Sequence, residues 1–326
     1  MARIAVIGAG AWGTALAIQA ARAGRDVALW VRMPERAADM AATRRNDAHL
    51  AGIALPESMR ITSDARQALE GAALIVLAVP TQHLASVLAT LPAHDAPLLL
   101  AAKGVERTTL RLPTEIATGL RPDAVIGVLS GPNFAAEVAA GLPAAAVVAS
   151  LDDAFRAQVP DLLGTPSFRL YAGDDPIGAE VGGAAKNVIA IAAGAVIGAG
   201  LGENARAALV TRGLAEIARL AVALGGRAET VAGLSGLGDL LLTCTGAASR
   251  NFSFGLALGR GETAAAILAG RTSVTEGVAT APALVARAAR AGVEMPIAAA
   301  VAAVLDGAIS LSGAVDGLLG RPRGRE

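Results

Sequence analysis

The chain has 326 residues, more than one hydrophobic core usually serves, so two domains are expected. It is 54% hydrophobic, 17% charged and 2% aromatic, with a formal net charge of zero, which excludes a disordered chain and any global attraction to nucleic acid or an anionic membrane. The single cysteine, Cys244, excludes an intramolecular disulfide and fits a reducing cytoplasm.

The opening run over residues 3–7 leads into glycines that would break the apolar core of a signal peptide, so none is expected. Continuous apolar runs over 3–7, 27–31, 74–79, 98–101, 124–129, 144–149 and 168–171 predict strands buried on both faces. Helical stretches over 14–23, 81–91 and 153–163 separate them. This rhythm predicts a Rossmann-type doubly wound, mostly parallel sheet over residues 1–176. The polar stretch 172–176 marks the boundary, and 177–326 is expected to be an all-α C-terminal domain. A mean hydropathy of +0.53 raises the question of a membrane span. The run 188–201 offers about 14 residues against the ~20 a bilayer requires, and 297–319 is interrupted by Asp306. No integral membrane protein is expected.

Gly8-Ala9-Gly10-Ala11-Trp12-Gly13 joins the first strand to the first helix. In that context Gly8 makes the tight turn, Gly10 lets backbone approach a pyrophosphate, and Gly13 lets helix pack on strand. The pyrophosphate would rest on the free N–H groups of the helix. In a chain with 38 glycines, a structural turn is the alternative. The second strand ends at Arg32 rather than at the carboxylate that commonly holds a ribose 2′-hydroxyl. A guanidinium can pair with a 2′-phosphate, so NADPH, or dual use, is favoured over strict NAD, unless Arg32 is only a solvated surface residue. Trp12 either covers the dinucleotide or packs in the turn.

Lys103 lies at a strand's carboxyl end, where open α/β sheets gather ligands, although a surface lysine is equally compatible. Gly131-Pro132-Asn133-Phe134-Ala135 enters a helix from the same sheet edge, or is an ordinary connector. In Gly182-Gly183-Ala184-Ala185-Lys186-Asn187, helical spacing puts Gly182, Gly183, Lys186, Ala190 and Ala193 on one face. A lone lysine among small apolar residues is costly if unpaired; it either acts in chemistry or snorkels to solvent. The stretch 233–239 reads as a glycine-dense loop delivering Asp239, which caps the next helix or pairs with Lys186. Ser249-Arg250-Asn251 gathers a cation and two hydrogen-bonding side chains at a helix start, as an anion site would. The three histidines, His49, His83 and His94, show no metal-ligand spacing, and no metal is expected.

Gly8–Gly13 with Thr14-Ala15, Ala102-Lys103-Gly104, Gly131–Ala135, Gly183–Ala190, Leu237-Gly238-Asp239-Leu240, Ser249-Arg250-Asn251 and Val274-Thr275-Glu276-Gly277 occur in an order and spacing that resembles bacterial NAD(P)-dependent glycerol-3-phosphate dehydrogenase. The resemblance covers nearly the whole chain. It implies an oxidoreductase interconverting sn-glycerol 3-phosphate and dihydroxyacetone phosphate with NADPH or NADH, supplying the phospholipid backbone in the cytoplasm. It further implies Lys186 as proton acceptor and donor, with Lys103 touching cofactor and substrate. Gly131, Asn133, Asp239, Ser249, Arg250 and Asn251 would line the substrate pocket. Gly8, Gly10, Ala11, Trp12, Gly13, Arg32, Ala135, Arg250, Val274 and Glu276 would meet the dinucleotide. Asn133 stands where the family usually has Ser or Thr, and Ala185 where a larger aliphatic residue is usual. The residues alone also admit a dehydrogenase of 3-hydroxy acids or opines, and a non-catalytic NADPH sensor. They leave the oligomeric state open, a homodimer included.

Overall fold

The computed structural model describes residues 1–271 and 275–322. It contains two compact units, one of Met1–Lys103 with Arg111–Glu180, the other of Gly104–Leu110 with Val181 onward.

The first unit holds one eight-stranded sheet. Its strands are β1 (Arg3–Ile7), β2 (Asp26–Trp30), β3 (Arg60–Thr62), β4 (Ala72–Leu77), β5 (Leu98–Leu100), β6 (Ile126–Ser130), β7 (Ala144–Ser150) and β8 (Phe168–Gly173), in spatial order β3-β2-β1-β4-β5-β6-β7-β8. All neighbours are parallel except β6 and β7. Alternation within each strand feeds two cores. Ile4, Val6, Leu74 and Val76 pack with Leu16 and Ala17 of the helix Ala11–Arg22. Ala5, Ile7, Ile75 and Leu77 pack with Leu84 and Leu88 of the helix Thr81–Thr90. Both faces are covered, which is why the strands read as unbroken apolar runs.

Seven strands fall within two residues of their expected bounds. The eighth, β3, escapes the sequence pattern: three residues with a single aliphatic side chain pair only with β2 at the sheet edge. The first helix starts at Ala11 rather than 14, so Trp12 and Gly13 belong to it. Residues 172–173 extend β8, and Pro176 already opens the next helix.

That helix, Pro176–Gly198, carries Lys186 and is 23 residues long, well beyond the apolar run from 188. By length and composition it could cross a membrane, but 89% of its most apolar window is buried within the protein. After it, every described element is helical. Glycines let the Lys186 helix lie directly against the helix Arg250–Gly259. A Cβ at Gly255 would overlap the carbonyl oxygen of Ile191, and one at Gly194 that of Phe252. The sign of a Gly255→Ala change therefore tests this contact. An exposed helical glycine gains about 1 kcal/mol on becoming alanine. Here overpacking, typically about 1–3 kcal/mol and more against rigid backbone, is expected to win, and urea unfolding should show a net loss of stability.

At its other end the same helix holds a buried carboxyl. Glu180, 3% exposed, accepts the backbone N–H of Thr114 (2.8 Å) and also meets the Thr114 hydroxyl, at the start of the helix Pro113–Leu120. Burial pushes the Glu180 carboxyl up to about 8; the Thr114 hydrogen bonds oppose the rise and nearby Glu115 adds to it. A pKa raised by folding favours the fold while the proton is on. The contribution is complete below the ordinary value of 4.5 and is lost as pH climbs towards about 8. Glu180→Gln keeps an acceptor and a donor for Thr114 and cannot ionise. Its Tm is expected to fall less than that of the wild type between about pH 5 and 8; parallel Tm curves would exclude Glu180 as the source.

Candidate active site

In the first unit the chain leaves β1 through a glycine cradle. Gly8 has φ +111°, and a Cβ on it would lie 2.8 Å from the carbonyl oxygen of Ala78. A Cβ at Gly13 would overlap the carbonyl oxygen of Gly8, so the helix can approach β1 only with glycine there. Gly10 differs: its backbone is ordinary (φ −74°), and nothing lies within 4 Å of where its Cβ would be. The space above Gly10 is open. Gly10 is also the N-cap of the helix, with no side-chain cap and no acidic residue in the first turn, so the helix presents bare N–H groups and its positive dipole end. That is the chemistry a pyrophosphate requires.

Three buried donors at the carboxyl ends of parallel strands lack a partner among the described residues: Trp12 Nε1 after β1, Thr81 Oγ1 after β4 and Ser130 Oγ at the end of β6. Buried polar atoms are rarely left unsatisfied, and a polar ligand at this edge would complete them. Trp12 also packs against the core, so packing and ligand contact are compatible. Lys103, half-buried just past β5, donates from Nζ to the carbonyl oxygen of Gly131 (3.2 Å), bringing two of the expected residues together. Asn133 donates to the carbonyl oxygen of Ala145 (3.1 Å), while its buried Oδ1 has no partner among the described residues. Ala135 opens the helix Ala135–Ala140, and Arg32 is exposed two residues beyond β2.

In the second unit Lys186, 7% exposed, donates to Asp239 Oδ1 and to Thr243 Oγ1 (3.0 Å). Thr243 sends its own proton to the Asp239 carbonyl oxygen (2.6 Å), so its lone pair faces the lysine. Asp239 is fully buried. The stretch preceding it is not a loop. Leu234–Gly238 forms a π-helical turn that runs into the helix Asp239–Thr245, in which Gly238 holds the N-cap position and Asp239 is the first residue. The turn can lie against the Lys186 helix because Gly182, one helical turn before Lys186, has no side chain: a Cβ there would sit 2.6 Å from the Ser235 carbonyl oxygen. Cys244, beside this centre, is pushed up to about 12 by burial, which rules it out as a nucleophile.

The Ser249–Asn251 cluster opens the helix Arg250–Gly259 as expected, with different duties. Ser249 Oγ accepts the Phe252 N–H (3.2 Å) as N-cap, leaving its proton free to donate. Asn251 donates to Asn187 Oδ1 (2.8 Å) and accepts the Gly277 N–H (3.0 Å), tying three helices together. Arg250 is exposed, and Arg271 holds its backbone carbonyl (2.9 Å). Glu276 begins the helix Glu276–Arg290; Val274 lies outside the described residues. Sequence reasoning missed Thr243, Asn187, Thr81 and Ser130. Isolated hydroxyls and amides carry no spacing signal, though Thr243 lies one helical turn after Asp239.

A doubly wound sheet whose first crossover can cradle a dinucleotide, followed by a helical unit with a buried, ion-paired lysine, places the chain among the two-part nicotinamide-dependent dehydrogenases. Family models narrow the class: the NAD-dependent glycerol-3-phosphate dehydrogenase N-terminus matches residues 3–156, and the C-terminus of the same family matches 175–316. An Acidiphilium cryptum glycerol-3-phosphate dehydrogenase of the NAD(P)+ type is 55% identical over 317 residues, covering 97% of this chain and 96% of its own. The Rhodospirillum rubrum protein of that name is 52% identical over 322 residues, 98% of this chain and 92% of its own. The crystal structure of the Coxiella burnetii glycerol-3-phosphate dehydrogenase superimposes with a TM-score of 0.94 at 38% identity, covering 98% of this chain and 99% of that one. The chain belongs to the NAD(P)-dependent glycerol-3-phosphate dehydrogenase family, and is an oxidoreductase with an NAD(P)H cofactor and a small-molecule substrate.

Proposed function

We propose that Lys186 is the proton donor and acceptor for the carbon that becomes carbonyl or alcohol, and that the chain supplies glycerol 3-phosphate for phospholipid synthesis in the cytoplasm. The observation that carries the chemistry is the buried Lys186–Asp239–Thr243 centre. The nicotinamide, when bound, would supply the hydride that reduces the ketone of dihydroxyacetone phosphate. As the carbonyl π electrons move onto oxygen, Lys186 gives that oxygen a proton from its ammonium and is left as the neutral amine, to be reprotonated from solvent. In the oxidative direction the amine takes the hydroxyl proton. Asp239 holds the ammonium in place, and Thr243 fixes where its remaining N–H bonds point. Excluding water keeps these interactions strong.

The substrate phosphate fits the N-terminal end of the helix Arg250–Gly259 with the Arg250 guanidinium; in the first unit, Lys103 binds substrate and cofactor. In this reading Gly131 and Asn133 are the substrate-binding residues of the first unit, and Asp239, Ser249 and Asn251 those of the second. Gly8, Gly10, Ala11, Trp12, Gly13, Ala135 and Glu276 hold the dinucleotide, and Arg32 favours its 2′-phosphate, so NADPH is the preferred reductant. The protein works in solution, the apolar Lys186 helix being a core element, and as a homodimer. The test is oxidation of NADPH and NADH, in parallel, by the purified protein with dihydroxyacetone phosphate. Turnover with both and a higher kcat/KM for NADPH is expected. Equal or reversed preference would remove the role of Arg32, and no turnover with either would overturn the reading.

A further inference from the structure

The peptide between Ala9 and Gly10, at the centre of the glycine cradle, is held from behind by two side chains outside the fingerprint. Asn46, 3% exposed, donates from Nδ2 to the Ala9 carbonyl oxygen (3.1 Å) and to Thr14 Oγ1 (2.7 Å). Arg36, half-buried in the helix Pro34–Thr43, donates from Nη2 to the same carbonyl oxygen (3.1 Å) and to Asn46 Oδ1 (2.6 Å). Asn46 occupies the N-cap position of the short helix Asp47–Leu50, yet its side chain makes no cap bond there. An asparagine in that position ordinarily spends its oxygen on its own helix. Here that oxygen goes to Arg36. Among the described residues no carboxylate pairs with Arg36, so its charge is uncompensated beneath a site suited to a dianion.

In a trans peptide the C=O and the next N–H point in opposite directions. Two donors pulling the Ala9 oxygen inward therefore turn the Gly10 N–H outward. Flipping this peptide turns ψ of Ala9 and φ of Gly10, and glycine at 10 does little to forbid the flipped form, which would aim a carbonyl oxygen at the pyrophosphate. We propose that Asn46 and Arg36 are positioning residues for the dinucleotide: they clamp the Ala9–Gly10 peptide so that its N–H faces the pyrophosphate. The proposal rests on the reading of this turn as the dinucleotide site.

The test uses Asn46→Ala, Arg36→Met and Arg36→Lys in the full chain, with NADPH and 2′-AMP titrated calorimetrically. 2′-AMP shares the adenosine phosphate end but has no pyrophosphate. Losing a clamp donor is expected to raise the NADPH Kd about 10-fold or more, with Arg36→Lys recovering part of the loss. The 2′-AMP Kd and kcat at saturating NADPH stay near wild type. A merely structural role predicts a lower Tm with NADPH Kd within about twofold of wild type, and that result overturns the proposal. So does equal weakening of both ligands. Because Arg36 is only half-buried, its variants remain informative if Asn46→Ala fails to fold. Gly10→Val separates the two readings: if it binds NADPH normally, the turn is not the dinucleotide site; if it loses NADPH while the clamp variants do not, only the clamp fails.

Discussion

Lys186→Met is expected to lower turnover at least about 10³-fold, within the range that positioned acids and bases supply, with NADPH affinity unchanged. The two effects separate because the glycine cradle and the lysine belong to different compact units, each with its own core. Methionine fills much the same volume without a charge. It leaves the Asp239 carboxylate buried with its cationic partner gone, and unpairing a buried ion costs about 3–5 kcal/mol. A fall in Tm must therefore accompany the loss of rate, and loss of fold could be mistaken for loss of chemistry. Adding Asp239→Asn resolves this. The neutral amide removes the unpaired charge, so the double variant should regain stability and none of the turnover. Turnover near wild type in a folded Lys186→Met protein would end the assignment.

Gly10→Val should abolish NADPH binding and spare the fold. The backbone at Gly10, φ −74° and ψ −178°, suits a β-branched residue, and its Cβ would meet nothing within 4 Å. The branched side chain would stand where the pyrophosphate has to lie, displacing it from the helix N–H groups. A loss of at least about 100-fold in NADPH affinity is expected, since several charge-assisted hydrogen bonds go together. Apo Tm should stay within a few degrees of wild type. Gly13→Val is the contrasting variant: its Cβ would overlap the Gly8 carbonyl oxygen, so it is expected to lower Tm as well. A Gly10→Val protein with unaltered NADPH affinity would move the cofactor site elsewhere.

The sheet was legible because strands buried on both faces cannot alternate with polar residues, and runs such as Ala72–Leu77 leave no other explanation. The edge strand β3 was not, because its order comes from pairing with β2 rather than from its own side chains. Lys186 stood out through the cost of burying an ammonium among alanines and glycines, and the same cost pointed to Asp239 as one of two options. Choosing between cap and ion pair needed the π-turn, and glycine density suggests flexible loop rather than wide helix. Asn251 was legible only in part. An amide beside an arginine at a helix start suggests an anion ligand, and the structure adds that its oxygen and one N–H hold Gly277 and Asn187. Partners so far apart in the chain leave no local trace. Asn46 was silent for the same reason, being 37 residues from the Ala9 carbonyl it holds.

The π-turn Leu234–Gly238 also makes the lysine centre sensitive to residue count rather than residue identity. A wide turn holds about one residue more than an α-turn, and each residue advances a helix by about 100°. Shortening the turn by a single residue would let it relax into ordinary helix and swing Asp239 about a quarter-turn away from Lys186. Every side chain named in the centre would survive such a deletion. The centre is thus encoded partly in spacing, and a chain could keep every one of these side chains and still lose the arrangement that brings them together.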